Sequence, residues 1–448
     1  MFTKSKIPIA FLLLFAMVFA AGCELTEENP FVESSADVPA STSKEVSEDS
    51  EVQTVSEESN VSDVSEIELP SDTVLHFVAV GDNIIHPSVY YHGMEVYAEA
   101  NGQDCTYAAA NDDRYDFHSI YEFVAPAMKE ADICYINQET LFLGGNNPIS
   151  GYPRFNSPEI VGMTLYDLGV DVVNLAHNHV LDCGSDKAVI YTAGLCKQLG
   201  MTPIGYYENN ADTNNIVILE REGVKIAFLS YTEHTNGIPN NTSTCIPYLS
   251  EDLVRKQVAL AKEQADLVIV SAHWGNEYAW QPTSNQKKFA QMFCDLGVDV
   301  VVGMHPHCIE PMEWKTNSEG HKTLVTYSIG NFLSGMHEGM CHLEGMLRFD
   351  IRKSNEDGTV TIENPQFVPL VNHFEAGRSV NTSVDTGYRK FKIYYLSDYT
   401  SELAASHGVH KRESQFKGYQ LMGGKFDLEC LYNTVKALIP EEFLPEGF

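Results

Sequence analysis

LGVDVVNLAHNHVLD, residues 168–182, and LGVDVVVGMHPH, residues 296–307, decide how this chain is read. Each begins where an amphipathic stretch of helical period ends, at 158–168 and at 285–296. Each turns at a glycine, Gly169 or Gly297, where a helix ends best on a left-handed residue. Each then runs through valines, as a strand buried on both faces does, and stops at histidines. The common unit is helix, tight turn, buried strand and polar strand end.

The same unit recurs along the chain. Apolar runs at 74–80, 133–137, 224–230, 267–272 and 324–329 join those at 170–175 and 298–303. Helical patterns at 118–130, 185–199 and 251–264 lie between them, which predicts an α/β fold with helices covering sheets. Most runs end in polar residues: Asp82-Asn83, Asn137-Gln138-Glu139, His177-Asn178-His179, His273-Trp274-Gly275 and His305-Pro306-His307. Ligands of α/β proteins bind at the carboxyl ends of strands, so these ends are expected to share one site.

Asp82, Glu139, Asn178, His273, His305 and His307 offer oxygen and imidazole donors, a mixture suited to Mn, Fe or Zn. A bridging carboxylate among histidines and an amide can hold two ions roughly 3.5–4 Å apart. Cys183 and Cys308 lie close by but are a poorer choice than these donors.

The ordered set Gly81-Asp82, Asn137-Gln138-Glu139, residues 176–182, residues 273–278, Gly303-Met304-His305-Pro306-His307 and residues 327–332 resembles the CapA family. That family is the poly-γ-glutamate capsule branch of the calcineurin-like metallophosphoesterases, and the resemblance spans about residues 74–372. It implies a four-layer αββα sandwich with one or two divalent ions at the strand ends. It implies that Asp82 and His307 serve a first ion, that Glu139 bridges, and that Asn178, His273 and His305 serve a second. His179 would face the leaving group, oriented by Asp182 as a carboxylate fixes an imidazole. One departure stands out. The superfamily begins Asp-x-His, and here the histidine position is Ile84, with His86 nearby as a substitute donor. Arg154, His86 and Glu277 are further substrate-side candidates, Arg154 through its planar fork and Glu277 as a base or hydrogen-bond partner.

The termini set the context. Lys4 and Lys6, the apolar run 7–21 and Ala20-Ala21-Gly22-Cys23 resemble a lipoprotein signal peptide, which implies cleavage after residue 22 and lipid on Cys23. Residues 23–72 are rich in Ser and Glu with Lys44 as their one basic residue, and are expected to be a disordered acidic tether outside the cell membrane. Residues 73–374 are expected to form the main domain, and 375–448 a small C-terminal appendage packed on it. A net charge of −33 argues against nucleic acid as a partner. The cysteines after Cys23 are odd in number and irregular in spacing, unlike a disulfide framework. Two functions stay open at this point. One is a hydrolase acting on a phosphoester or γ-glutamyl amide through metal-bound hydroxide. The other is a non-catalytic subunit of a capsule polymer synthesis or export complex, bound to poly-γ-glutamate or another envelope polymer.

Overall fold

Along β1 (Thr73–Asn83), Leu75, Phe77 and Ala79 enter one buried cluster while Val78 and Val80 enter another. That alternation repeats in every central strand and builds the molecule. The computed structural model describes residues 71–448 except 111, 146 and 382. The expected signal peptide, Cys23 and the expected tether up to residue 70 lie outside the described residues.

After β1 come β2 (Ile133–Asn137), β3 (Val172–Asn174) and β4 (Thr202–Ile204), all parallel. A second sheet follows: β5 (Val217–Arg221), β6 (Val224–Thr232), β7 (Leu267–His273), β8 (Val300–Met304), β9 (Met312–Thr316) and β10 (Lys322–Thr326). Its order is β5-β6-β7-β8-β10-β9, with parallel strands inside and an antiparallel strand on each edge. The chain then returns to the first sheet with β11 (Asn331–Leu333), β12 (Leu343–Lys353), β13 (Val360–Ala376) and β14 (Tyr388–Tyr395). The first sheet reads β14-β13-β12-β1-β2-β3-β4, and β11 pairs with the end of β1.

Phe77, Tyr135 and Val172 of the first sheet share one core with Ile226, Ile269 and Val300 of the second. The opposite face of the first sheet packs on helices 87–100, 160–167 and 187–199. The opposite face of the second packs on helices 251–262 and 284–296. The layers are therefore αββα, the arrangement implied by the metallophosphoesterase resemblance. Each fully buried Val, Leu or Phe contributes roughly 1.5–3 kcal/mol to holding them together. Polar pairs cross the central seam as well: Tyr135 Oη lies 2.6 Å from Ser271 Oγ, and Ser230 Oγ donates to Asn174 Oδ1 at 2.5 Å.

Three details differ from the sequence reading. The helix expected over 118–130 divides into a short 3-10 turn at 118–120 and a helix at 125–130, because Pro126 lacks the N–H an unbroken helix needs and instead sits in the first turn. Helix 87–100 was not anticipated, since residues 87–94 are buried almost without a break and leave no amphipathic period. The position 374/375 falls inside β13. Beyond it β14 forms an edge of the first sheet, and Phe426, Leu431, Val435 and Leu438 join the core between the sheets. The amphipathic stretch read at 428–438 is a helix with those bounds, capped by Asp427. Among the described residues no helix is long and apolar enough to cross a membrane.

Candidate metal centre

Five strands of two sheets deliver the donors. Asp82 closes β1, Glu139 follows β2, Asn178 follows β3, His273 closes β7, and His305 and His307 follow β8. All six are buried. The close approach of the chain at Asp82 requires a glycine before it: a Cβ on Gly81 would sit 1.9 Å from the Gly330 carbonyl oxygen. The histidine loop is strained, with φ of 101° at His305 and 59° at His307. Side chains rarely adopt such angles, which cost about 1–3 kcal/mol each and persist where the surroundings enforce them.

The structure brings the six together. Asn178 Oδ1 lies 3.1 Å from His273 Nε2, which lies 3.1 Å from His305 Nδ1. The His305 N–H donates to Asp82 Oδ2 at 3.2 Å, and His307 Nδ1 stands 3.4 Å from that oxygen. Ligand atoms of Asp82, Glu139 and His307 all fall within 4.8 Å of one another. Both oxygens of Glu139, and Asn178 Nδ2, are buried with no hydrogen-bond partner among the described residues. A buried carboxylate left so is costly unless a cation completes it.

The electrostatics agree with a missing positive charge. Burial, and then the Asp82 charge, push Glu139 well above the usual carboxylate range. Burial, with the neighbouring imidazoles adding to it, holds His273 and His305 well below 6.5, so both are neutral and free to ligate. Burial also opposes charge on His307, but the Glu139 and Asp82 carboxylates outweigh it and raise this imidazole to about 10. A proton there supplies the charge an ion would bring. The donors present fit a divalent cation.

A cavity of about 300 Å³ opens on this cluster, with Glu139, His179, His307, Glu277 and His86 in its wall. His179 Nδ1 is 2.7 Å from Asp182 Oδ2, and the same carboxylate oxygen accepts the Phe155 N–H at 2.8 Å. The Phe155 ring meets the imidazole edge-on, 4.9 Å between centroids. His179 Nε2 is thereby turned toward Glu139 Oε1, 4.0 Å away.

The other candidates divide. Glu277 lies beside His305 and His307. His86 lines the cavity, but its Nδ1 accepts the Gly335 N–H at 3.1 Å and burial drives its pKa down to about 3. Ile84 lines the same wall. Arg154 is exposed and is not among the cavity-lining residues. Residues not assigned a part from sequence also contribute. Asn137 Nδ2 donates to Asp82 Oδ1 at 2.6 Å, and Asn331 Oδ1 lies 3.0 Å from His307 Nδ1. Both asparagines stand inside the motifs quoted above, and that position was the available signal. Glu344, buried with both oxygens unpartnered and its pKa raised by burial and by Asp82, carried no signal at all.

Comparison with known proteins adds the following. Residues 76–336 match the family described as bacterial capsule synthesis protein PGA_cap. The capsule biosynthesis protein CapA of Bacillus anthracis is 27% identical over 284 residues, covering 61% of this chain and 66% of that protein. The PGA biosynthesis protein CapA of Bacillus subtilis is 30% identical over 230 residues, covering 48% of this chain and 56% of that protein. The chain thus spans less than two thirds of either relative. A Mycoplasma pneumoniae phosphatase structure overlaps 67% of this chain and 95% of its own, at 12% identity and a TM-score of 0.39, too distant to add to the sheets just described. With more than half of its length matched, the chain belongs to the PGA_cap family of bacterial capsule synthesis proteins, the family that includes CapA.

Proposed function

We propose that this protein is a metal-dependent hydrolase of capsule or envelope polymer synthesis, held outside the cell by lipid on Cys23. Its substrate is a phosphoester or a γ-glutamyl amide. The observation that carries the reading is the His179–Asp182 pair, which faces the donor cluster across the cavity. An imidazole whose Nδ1 meets a carboxylate and whose Nε2 faces the donor cluster supports the hydrolase reading over that of a scaffold.

Asp82, Glu139 and His307 would hold one ion, and Glu139, Asn178, His273 and His305 a second, of Mn, Fe or Zn. Such ions supply Lewis acidity and lower the pKa of a bound water. The chain's own groups do the rest. His179 delivers a proton from Nε2 to the leaving oxygen or nitrogen, and Asp182 keeps Nδ1 protonated and aimed. Asn331 and Asn137 hold His307 and Asp82 in place. The cavity admits one group the size of a glutamyl unit or a phosphoester, with the remainder of a polymer outside. The polymer context is supported by the named roles of the relatives, and the anchor by the signal sequence.

The test is metal content and turnover of a generic phosphodiester and of a γ-glutamyl anilide, wild type against His305→Ala. Loss of metal and of turnover together is the expected result. Metal bound without turnover of either substrate class by the wild type would leave the capsule role as that of a non-catalytic subunit.

A further inference from the structure

The ion position at Asp82, Glu139 and His307 is sparsely furnished: their ligand atoms all lie within 4.8 Å of one another, but they make only three donors. Protein sites for such ions use about four. Ile84, two residues past Asp82, lines the cavity wall at the deficient side and has no donor atom.

Glu277 lines the same cavity, beside His307. Its carboxylate, His305 and His307 form a second set whose ligand atoms all lie within 4.8 Å of one another, and His307 is common to both sets. The position is built by the fold. The Trp274 N–H donates to the Met304 carbonyl at 3.0 Å, and the Tyr278 N–H to the Pro306 carbonyl at 2.9 Å. The segment carrying Glu277 is thus stitched to the loop carrying both histidines. Trp274 is fully buried, its Nε1–H donating to the Tyr327 carbonyl at 2.9 Å, and Tyr278 holds a φ of 61°. The Glu277 side chain is exposed and reaches the cavity that Glu139 faces with its unpartnered oxygens.

We infer that Glu277 is a ligand of the ion at His307, supplying from the cavity side the donor that Ile84 lacks. The inference rests on the metal-centre reading above. It makes the ion at His307 the weaker and more exchangeable of the two, because one of its ligands is a solvent-exposed carboxylate on a flexible stem.

The purified full chain, stripped with chelator and titrated with Mn(II), provides the test. Stoichiometry and affinity are read by calorimetry, and spin coupling between neighbouring ions by electron paramagnetic resonance. Wild type is expected to take two ions and show a coupled signal. Glu277→Gln and Glu277→Ala should lose the weaker ion, with affinity down at least ~10-fold, and give an uncoupled spectrum. Glu277→Asp should fall between. An exposed residue tolerates these changes without unfolding. Mn(II) binding unchanged in Glu277→Gln, at one ion or two, overturns the assignment. A role in substrate contact alone would give that result with a raised KM. A wild type that takes no Mn(II) overturns the metal centre and Glu277 with it.

Discussion

Glu310 lies three residues beyond His307, is almost completely buried, and has one oxygen with no partner while the other accepts from Gln286 Nε2 at 2.6 Å. Gln286 is already committed, its Oε1 taking the Thr283 N–H at 2.8 Å in the capping box of helix 284–296. Burial raises the Glu310 carboxyl from 4.5 to about 8, against the opposing Gln286 contact and the Lys287 charge. Below pH 4.5 both the folded and the unfolded chain carry the proton, and the group is neutral in its effect. Between 4.5 and about 8 the unfolded chain releases the proton and the folded one retains it, so stability declines as pH rises. At about 1.4 kcal/mol per pH unit, the interval from 4.5 to 8 amounts to a ceiling of about 5 kcal/mol. Glu310→Gln copies the protonated shape and never ionises. It should match wild type within about 1 kcal/mol at pH 5 and exceed it by several at pH 8. Urea unfolding of both proteins at pH 5, 6.5 and 8 measures this. Chelator in every sample keeps the metal site's own titration common to both and cancels it in the difference. Parallel stability profiles for the two proteins would refute the reasoning.

Other outcomes follow from the same geometry. His305→Ala should lower metal affinity about 100-fold or more, because a direct ligand matters at least as much as the outer partners worth about 10–100-fold; equilibrium dialysis checks this. Asp182→Asn should leave metal content intact while turnover falls about 10²–10⁴-fold, the span of lost general-acid help, and unchanged turnover with full metal would remove His179 from the chemistry. Gly81→Ala places a Cβ 1.9 Å from a backbone oxygen that cannot swing aside, so a loss of about 3 kcal/mol or more is expected in thermal unfolding. Divalent ion at about 100 times its Kd should raise stability by about 2.7 kcal/mol and chelation should abolish the gain; a midpoint indifferent to both would mean that the cluster holds no ion.

The central strands and the donor cluster were legible because each is a local pattern, an apolar run ending in polar residues, repeated in register with the fold. Val300–Met304 and the histidines after it need no partner to be recognised. The antiparallel strands were not legible. β12 mixes buried Leu347, Phe349 and Ile351 with Arg348 and Asp350, and it is defined by pairing with β1 some 270 residues earlier, as in Val74↔Arg352. Glu344 is silent for the same reason, its neighbour Asp82 being remote in sequence. Glu277 was legible as a candidate, but its place beside the histidine loop comes from two backbone hydrogen bonds that no local pattern shows. Arg154 shows the reverse: a residue with suitable chemistry that is exposed and outside the cavity wall.

The donors come from opposite banks of the molecule, Asp82, Glu139 and Asn178 from one sheet and His273, His305 and His307 from the other. A cation held by them would also be a clasp across the hydrophobic interior. Its release would then loosen that seam, which hydrogen exchange at Tyr135 and Ser271, deep between the two sheets, is expected to register as faster opening when the clasp is undone.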